Sequence, residues 1–176
     1  GAFELATIDF TDPRAFAETL ADKPAVVWIE TPSNPLLRIT DLRFVIEAAH
    51  AVGALTVVDN TFLSPALQTP IAFGADFVVH STTKYINGHS DVVGGAVIAK
   101  SAEQHAQLTW WANALGITGA PFDSFLTLRG LRTLDARLRA SGRAPTVDLV
   151  SESAELLEDY GAWLRRLAHG ALDARA

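Results

Sequence analysis

The stretch AVVWIETPSNPLLRITDLRFVIEAAHAVGALTVVDN, residues 25–60, decides the fold. Its two ends, AVVWIE (25–30) and LTVVDN (55–60), are nearly continuous in apolar character and rich in Val, as strands buried on both faces should be. Between them Leu42, Val45, Ile46 and Ala49 recur at i, i+3, i+4 and i+7, the period of a helix with one apolar stripe. Thr40 is placed to cap its start and Gly53 to stop it. Strand, helix and strand in that order predict a parallel pair with a right-handed crossover.

Outward from this unit, DFVVHS (76–81) and GAVIAK (95–100) read as two further strands. From Ser101 the pattern turns helical. Ser101 and Gln104 make a capping box, and Leu108, Trp111, Ala112 and Leu115 share one face. After a turn at GITGAP (116–121), a second helix is expected to run through Phe125, Leu128, Leu131 and Leu134. ARLRASGRAP (136–145) reads as a linker, and a third helical pattern follows over about 147–168.

Composition narrows the functional classes. With 49% apolar and 19% charged residues, the 176-residue chain suits a packed core rather than disorder. A net charge of -6 offers no basic stripe for nucleic acid. There is no cysteine for a disulfide or thiolate metal site, and the five histidines show no paired ligand spacing, so no metal is expected. No apolar run approaches the roughly 20 residues of a membrane helix. A cytoplasmic protein without membrane partners is expected. The chain opens on Gly1 and contains no Met, which reads as a piece of a longer protein.

In an open sheet of this kind, ligands collect beyond the carboxyl ends of the strands. The three parallel candidates are followed by ETPSNP (30–35), DNTF (59–62) and HSTTK (80–84). Asp59 is placed to hold a protonated ring nitrogen through a charge-assisted hydrogen bond. Ser81 and Thr83 lie in a turn where hydroxyls and backbone N–H groups can satisfy a phosphate. Lys84 beside them can form a Schiff base with an aldehyde, given burial or a neighbouring cation to keep its amine neutral. Together these groups match the needs of pyridoxal 5'-phosphate. Each residue alone has a plainer reading. Lys84 can be a solvated loop lysine, Asp59 a cap, Thr61 and Asn34 turn residues, and Ser81 and Thr83 partners of their own turn. His89 can be a loop histidine, and Gly94 and Gly95 can serve sheet packing. The joint occurrence of all three sets, in order, favours the cofactor.

ETPSNPLLRITDL (30–42), VVDNTFLSPALQTPIAFGADFVVHSTTKYINGHSDVVGG (57–95) and WWANALGITGAPFDSFLTLRGLRTL (110–134) resemble the Cys/Met-metabolism family of pyridoxal-phosphate enzymes, the transsulfuration enzymes. The resemblance runs through residues 25–138 in nearly continuous register. It implies an α/β fold: part of the aspartate-aminotransferase-like large domain (fold type I), a mainly parallel sheet with flanking helices. Residues 1–138 would be a portion of that domain, and 139–176 a linker and C-terminal helix departing from the family pattern. By the same resemblance, Lys84 would carry the cofactor and shuttle protons, and Asp59 would pair with the pyridinium nitrogen. Ser81 and Thr83 would hold the phosphate. Asn34 would contact the phenolic oxygen and the substrate carboxylate, and Thr61 would complete the cofactor-binding set.

The implied reaction is γ-replacement on an O-acylhomoserine by cysteine to give cystathionine, in a cytoplasmic homotetramer. Relatives in the family perform γ- or β-elimination or sulfhydrylation with the same cofactor residues. Complete members are more than twice as long, so this chain alone is expected to bind the cofactor weakly and turn over little. Two readings from other classes are an association-prone segment without catalysis and a Schiff-base lysine enzyme without a cofactor. A dinucleotide site has less support, because no GxGxxG opens a helix.

Overall fold

The computed structural model describes residues 4–10 and 12–141. The chain falls into two units, Gly1–Leu131 and Arg132–Ala176. The first contains a four-stranded sheet in the order β1 (Val26–Glu30), β2 (Leu55–Asp59), β3 (Phe77–Ser81), β4 (Gly95–Ala99). The first three strands run parallel and β4 returns antiparallel to β3, so the sheet is mainly parallel.

Helix α1 (Pro13–Ala21) precedes the sheet. Its signal is local: Asp12 accepts the N–H groups of Arg14 and Ala15 while Pro13 occupies the first turn. Helix α2 (Leu42–Ala51) makes the crossover from β1 to β2. Asp41, not Thr40, caps it, accepting the Phe44 N–H at 3.1 Å. Thr40 lies one residue before the cap, buried, with its N–H bonded to Thr31 Oγ1 at 3.0 Å. Gly53, at φ +84, ends the turn after α2 as expected.

The apolar stripe of α2 meets one face of the sheet. Leu42, Val45, Ile46 and Ala49 are buried with Val27, Ile29, Val58, Val78 and Phe16. Burial of each larger side chain stabilises by roughly 1.5–3 kcal/mol, which makes this cluster the main support of the strands. The alternate residues of the strands are not covered in the same way. Trp28 is 57% exposed, and Val26, Leu55 and Val97 are also open. The expectation of strands buried on both faces is therefore corrected for β1 and β3, which alternate, while β2 is buried on both faces through Thr56, Val57 and Val58.

At the amino ends of β2 and β3, Asp76 acts as a staple. Its Oδ2 accepts from the Thr56 N–H (2.8 Å) and the Thr56 hydroxyl (3.0 Å), and lies 2.9 Å from His50 Nε2. This satisfies the fully buried Thr56 and anchors one edge of the sheet, leaving the opposite ends free to carry chemistry.

The one-turn helix α3 (Ser64–Leu67) follows β2; beyond β4 the capping box of Ser101 and Gln104 starts α4 (Ala102–Leu115), and Gly116 closes it at φ +69. The stripe expected to bury does not, since Trp111 and Leu115 are exposed and no residue of α4 is fully buried. Helix α5 (Pro121–Arg132) buries Leu126 and Gly130 rather than Phe125, Leu128 and Leu131, and it ends before Leu134. In the second unit, α6 (Leu134–Ser141) makes residues 136–141 helical where a linker was expected. The rest of that linker and the helix expected at 147–168 lie outside the described residues.

Candidate active site

The parallel register places Glu30 beside Asp59 at the carboxyl ends of β1 and β2, and Asp59 beside Val79 in β3. Each strand then feeds a tightly bonded turn. After β1, the Ser33 N–H bonds the Arg38 carbonyl (3.0 Å), the Leu37 N–H bonds the Ser33 carbonyl (2.7 Å), and Ser33 Oγ accepts the Arg38 N–H (3.2 Å). Arg38 pairs with Asp9. Asn34 is exposed on this loop, where Glu30, Ser33, Asn34 and Arg38 line an open groove with Ile8 and Phe10.

Burial pushes the Glu30 carboxyl above its ordinary range; the Asn34 backbone N–H opposes this, and the Asp59 charge adds to it. After β2, Asp59 Oδ1 accepts the Thr61 N–H at 3.0 Å, so Asp59 does form the turn cap of the plainer reading. Asn60, buried, is paired with Gln68: Nδ2 donates to the Gln68 carbonyl (2.8 Å) and Oδ1 accepts from Gln68 Nε2 (2.9 Å). That exchange closes the segment 60–68. Thr61 Oγ1 in turn accepts the Ser81 N–H at 2.8 Å, so Asp59, Thr61 and Ser81 form one linked chain.

The lysine turn is closed on both sides of Lys84. The Asn87 N–H reaches the Thr82 carbonyl (2.9 Å), the Gly88 N–H reaches the Lys84 carbonyl (2.9 Å), and the Thr82 N–H reaches the Gly94 carbonyl (2.9 Å). Thr83 Oγ1 accepts the Gly94 N–H (3.0 Å) and donates to the Gly94 carbonyl (3.3 Å), so its hydroxyl is engaged by the turn itself. The main chain approaches closely at Gly94, where a Cβ would lie 2.9 Å from Thr82 Oγ1.

His80 is buried behind these turns. Burial lowers its pKa, against the Asp59 charge and the Asn60 backbone, and its Nδ1 has no partner among the described residues. The Tyr85 phenol is pushed up to about 12 by burial.

The structure thus brings together Asp59, Thr61 and Ser81, with Thr83 and Lys84 on the following turn. Asn34 stands apart, with no hydrogen bond of its side chain to the others among the described residues. Lys84 is exposed rather than buried, which corrects the setting expected for it. Lys84 and Asp59 form no ion pair with one another. An amine and a carboxylate that do not neutralise each other, with the Ser81 hydroxyl between them in sequence and unbonded among the described residues, fit an aldehyde-bearing, phosphorylated pyridine ring.

Several supporting residues were not singled out from sequence: Glu30, Asn60, Gln68 and Asn87. For Asn60 and Asn87 a signal existed, namely an amide directly beyond a strand or inside a tight turn, where a side chain can replace missing backbone partners.

A mainly parallel α/β sheet with a lysine, a carboxylate and hydroxyls at adjacent strand ends is the arrangement of a pyridoxal-phosphate enzyme. The chain belongs to the Cys/Met metabolism PLP-dependent enzyme family, which it matches over residues 2–148. It is 78% identical to the solved cystathionine gamma synthase of Xanthomonas oryzae pv. oryzae in complex with aminoacrylate and cysteine, with a TM-score of 0.75 over 76% of this chain and 35% of that one. It is 54% identical to cystathionine gamma-synthase of Escherichia coli (81% of this chain, 37% of the relative). It is 47% identical to cystathionine gamma-lyase of Dictyostelium discoideum (78% and 34%). The chain spans little more than a third of the length of these relatives. No helix among the described residues is long and apolar enough to cross a membrane.

Proposed function

We propose that this chain is the lysine-bearing portion of a pyridoxal-phosphate-dependent transsulfuration enzyme. The whole enzyme exchanges the γ-acyl group of an O-acylhomoserine for the sulfur of cysteine, giving cystathionine and a free carboxylic acid. The observation that carries this reading is the 78% identity to the Xanthomonas synthase, also solved with cystathionine, against 50% to the solved cystathionine gamma-lyase from yeast. Residues 1–138 form part of the cofactor domain, and the complete enzyme works as a cytoplasmic homotetramer.

When bound, pyridoxal 5'-phosphate supplies the electron sink that stabilises carbanionic charge on the substrate. Asp59 holds the ring nitrogen protonated, with its orientation fixed by the Thr61 N–H. Thr61 would complete the cofactor-binding set, and it ties this carboxylate to β3 through Ser81. Ser81 holds the phosphate, joined by Thr83 once its long 3.3 Å bond to the Gly94 carbonyl is exchanged for the phosphate. Lys84 binds the cofactor through its amine and then carries protons between substrate carbons, and Asn34 orients the substrate carboxylate. Because Lys84 lies exposed, the chain by itself holds the cofactor weakly and turns over slowly, for lack of a preorganised, water-excluded site.

The test is to incubate the purified chain with pyridoxal 5'-phosphate, reduce with borohydride and map the modified peptides, with Lys84→Ala as control. A pyridoxyl group concentrated on Lys84 rather than on Lys23 or Lys100 is expected; equal labelling of all three would sink the reading. In the full-length enzyme, an O-acylhomoserine plus cysteine should give cystathionine faster than cystathionine is cleaved. The opposite ratio would favour a γ- or β-lyase.

A second reading rests on the apolar surface. Trp28 on the sheet and Trp110, Trp111, Leu115 and Ile117 at α4 are exposed, which suits a chain that only associates. Size-exclusion chromatography showing large species that never label at Lys84 would favour it.

A further inference from the structure

We propose that Asn87 is a positioning residue for Lys84, clamped by Asp91 and Arg129 so that helix α5 sets the direction of the lysine. This rests on the reading of Lys84 as the cofactor lysine.

The geometry is continuous from helix to lysine. Asn87 is fully buried, three residues beyond an exposed lysine whose side chain makes no hydrogen bond or ion pair among the described residues. The direction of Lys84 therefore follows from its backbone. Asn87 closes that backbone, donating its N–H to the Thr82 carbonyl at 2.9 Å on the near side of the turn. Its Nδ2 donates to Asp91 Oδ1 at 2.7 Å, and Asp91 Oδ2 accepts from Arg129 Nη2 of α5 at 3.0 Å. His89 Nδ1 lies 2.6 Å from the Asn87 carbonyl.

Next to Arg129, Gly130 lets α5 rest directly on the turn. A Cβ there would fall 2.2 Å from the Asn87 carbonyl oxygen and 2.5 Å from that of Ile86. The turn is thus held at its main chain by Gly130 and at its side chain by an ion pair. The Asn87 Oδ1 is buried without a hydrogen-bond partner among the described residues, so the orientation of this amide rests on the Nδ2 bond to Asp91, and through it the side chain fixes the backbone rather than merely filling space. An amine that must meet an aldehyde at bonding distance depends on such fixing, since small misplacements cost large factors in rate.

The experiment compares pyridoxyl labelling of Lys84 with that of Lys23 and Lys100 in the same molecule after incubation with pyridoxal 5'-phosphate and borohydride. Hydrogen exchange at the Asn87 and Gly88 amides is measured alongside. The wild type sets the preference for Lys84. Asn87→Asp, which puts two carboxylates together, should reduce that preference by about tenfold and speed exchange at both amides. Arg129→Lys, which keeps a cation on Asp91 Oδ2, should retain both, because the carboxylate that holds the Asn87 amide stays anchored. Asp91→Ala, at an exposed position that tolerates change, serves if Asn87→Asp does not fold, and it should lower the preference without lowering the melting temperature in proportion.

A general loss of stability would instead raise labelling of all three lysines together, and that result overturns the positioning role. So does a preference for Lys84 unchanged in both Asn87→Asp and Asp91→Ala. A wild type with no preference for Lys84 overturns the cofactor reading itself, and the inference with it.

Discussion

Thr61 Oγ1 accepts the backbone N–H of Ser81 at 2.8 Å, so the turn after β2 and the last residue of β3 are held by one hydrogen bond. Replacing the hydroxyl by a methyl in Thr61→Val leaves a part-buried N–H without its acceptor and should cost about 1–3 kcal/mol. Thr61→Ser should recover most of it. Urea unfolding midpoints measure the cost, and trapped pyridoxyl at Lys84 should fall in Thr61→Val and return in Thr61→Ser.

Asp76 makes acid stability predictable. Burial pushes its carboxyl up, but the Thr56 N–H, the His50 ring, the Thr56 hydroxyl and the His50 charge together hold it below the ordinary carboxylate value. A carboxyl depressed in the folded state contributes stability above its unfolded pKa of about 3.9, and that contribution is lost as pH falls through the folded value. Melting curves from neutral pH downward should show Asp76→Asn less stable than wild type, with the gap closing below about pH 4. A gap independent of pH would contradict this sign.

The glycines rank themselves. In Gly130→Ala the new methyl meets main-chain carbonyls at 2.2 and 2.5 Å, which cannot move without the turn. The expected loss is about 3 kcal/mol or more. Gly94→Ala meets only the Thr82 hydroxyl at 2.9 Å and should lose less, though more than a surface substitution. Gly53→Ala has open space but φ +84, so its cost is backbone strain of about 1 kcal/mol. Chemical denaturation of the three variants should return this order.

Tyr85 should resist ionisation. Its folded pKa of about 12 lies above the unfolded value of about 10, so the folded state holds the proton longer. The associated stability is complete below about pH 10 and is lost as pH rises toward the folded value. The phenolate absorbance of wild type minus Tyr85→Phe should therefore appear well above pH 10, or together with unfolding.

Lys84→Ala removes an exposed side chain with no partner among the described residues. Thermal unfolding should change by no more than about 0.5 kcal/mol, while trapped cofactor at that peptide disappears. A large stability loss would mean that Lys84 is a structural residue.

Much of the scaffold could be read locally. The four strands stand within one residue of their expected bounds, α2 carries the predicted stripe, and the Ser101 capping box forms as its spacing implied. These features depend on neighbours in sequence, where period and cap chemistry act directly. The misreadings share a different cause. Trp28, Trp111 and Leu115 are apolar at the right spacing, but periodicity says which side chains share a face and not whether anything covers that face. Thr40 has the chemistry of a cap, yet the helix starts one residue later and the Asp41 carboxylate takes the role.

The candidate site divides along the same line. Sequence by itself determined which groups stand at the strand ends, Asp59, Thr61, Ser81, Thr83 and Lys84, because strand order and turn position follow from local pattern. Only the tertiary structure decided how they are held. The bond from Thr61 to Ser81 spans 20 residues and the pair of Asp91 with Arg129 spans 38. Such contacts form only after the chain has closed loops whose geometry no local pattern specifies, and their short-range hydrogen bonds then fix what diffusion alone would leave free.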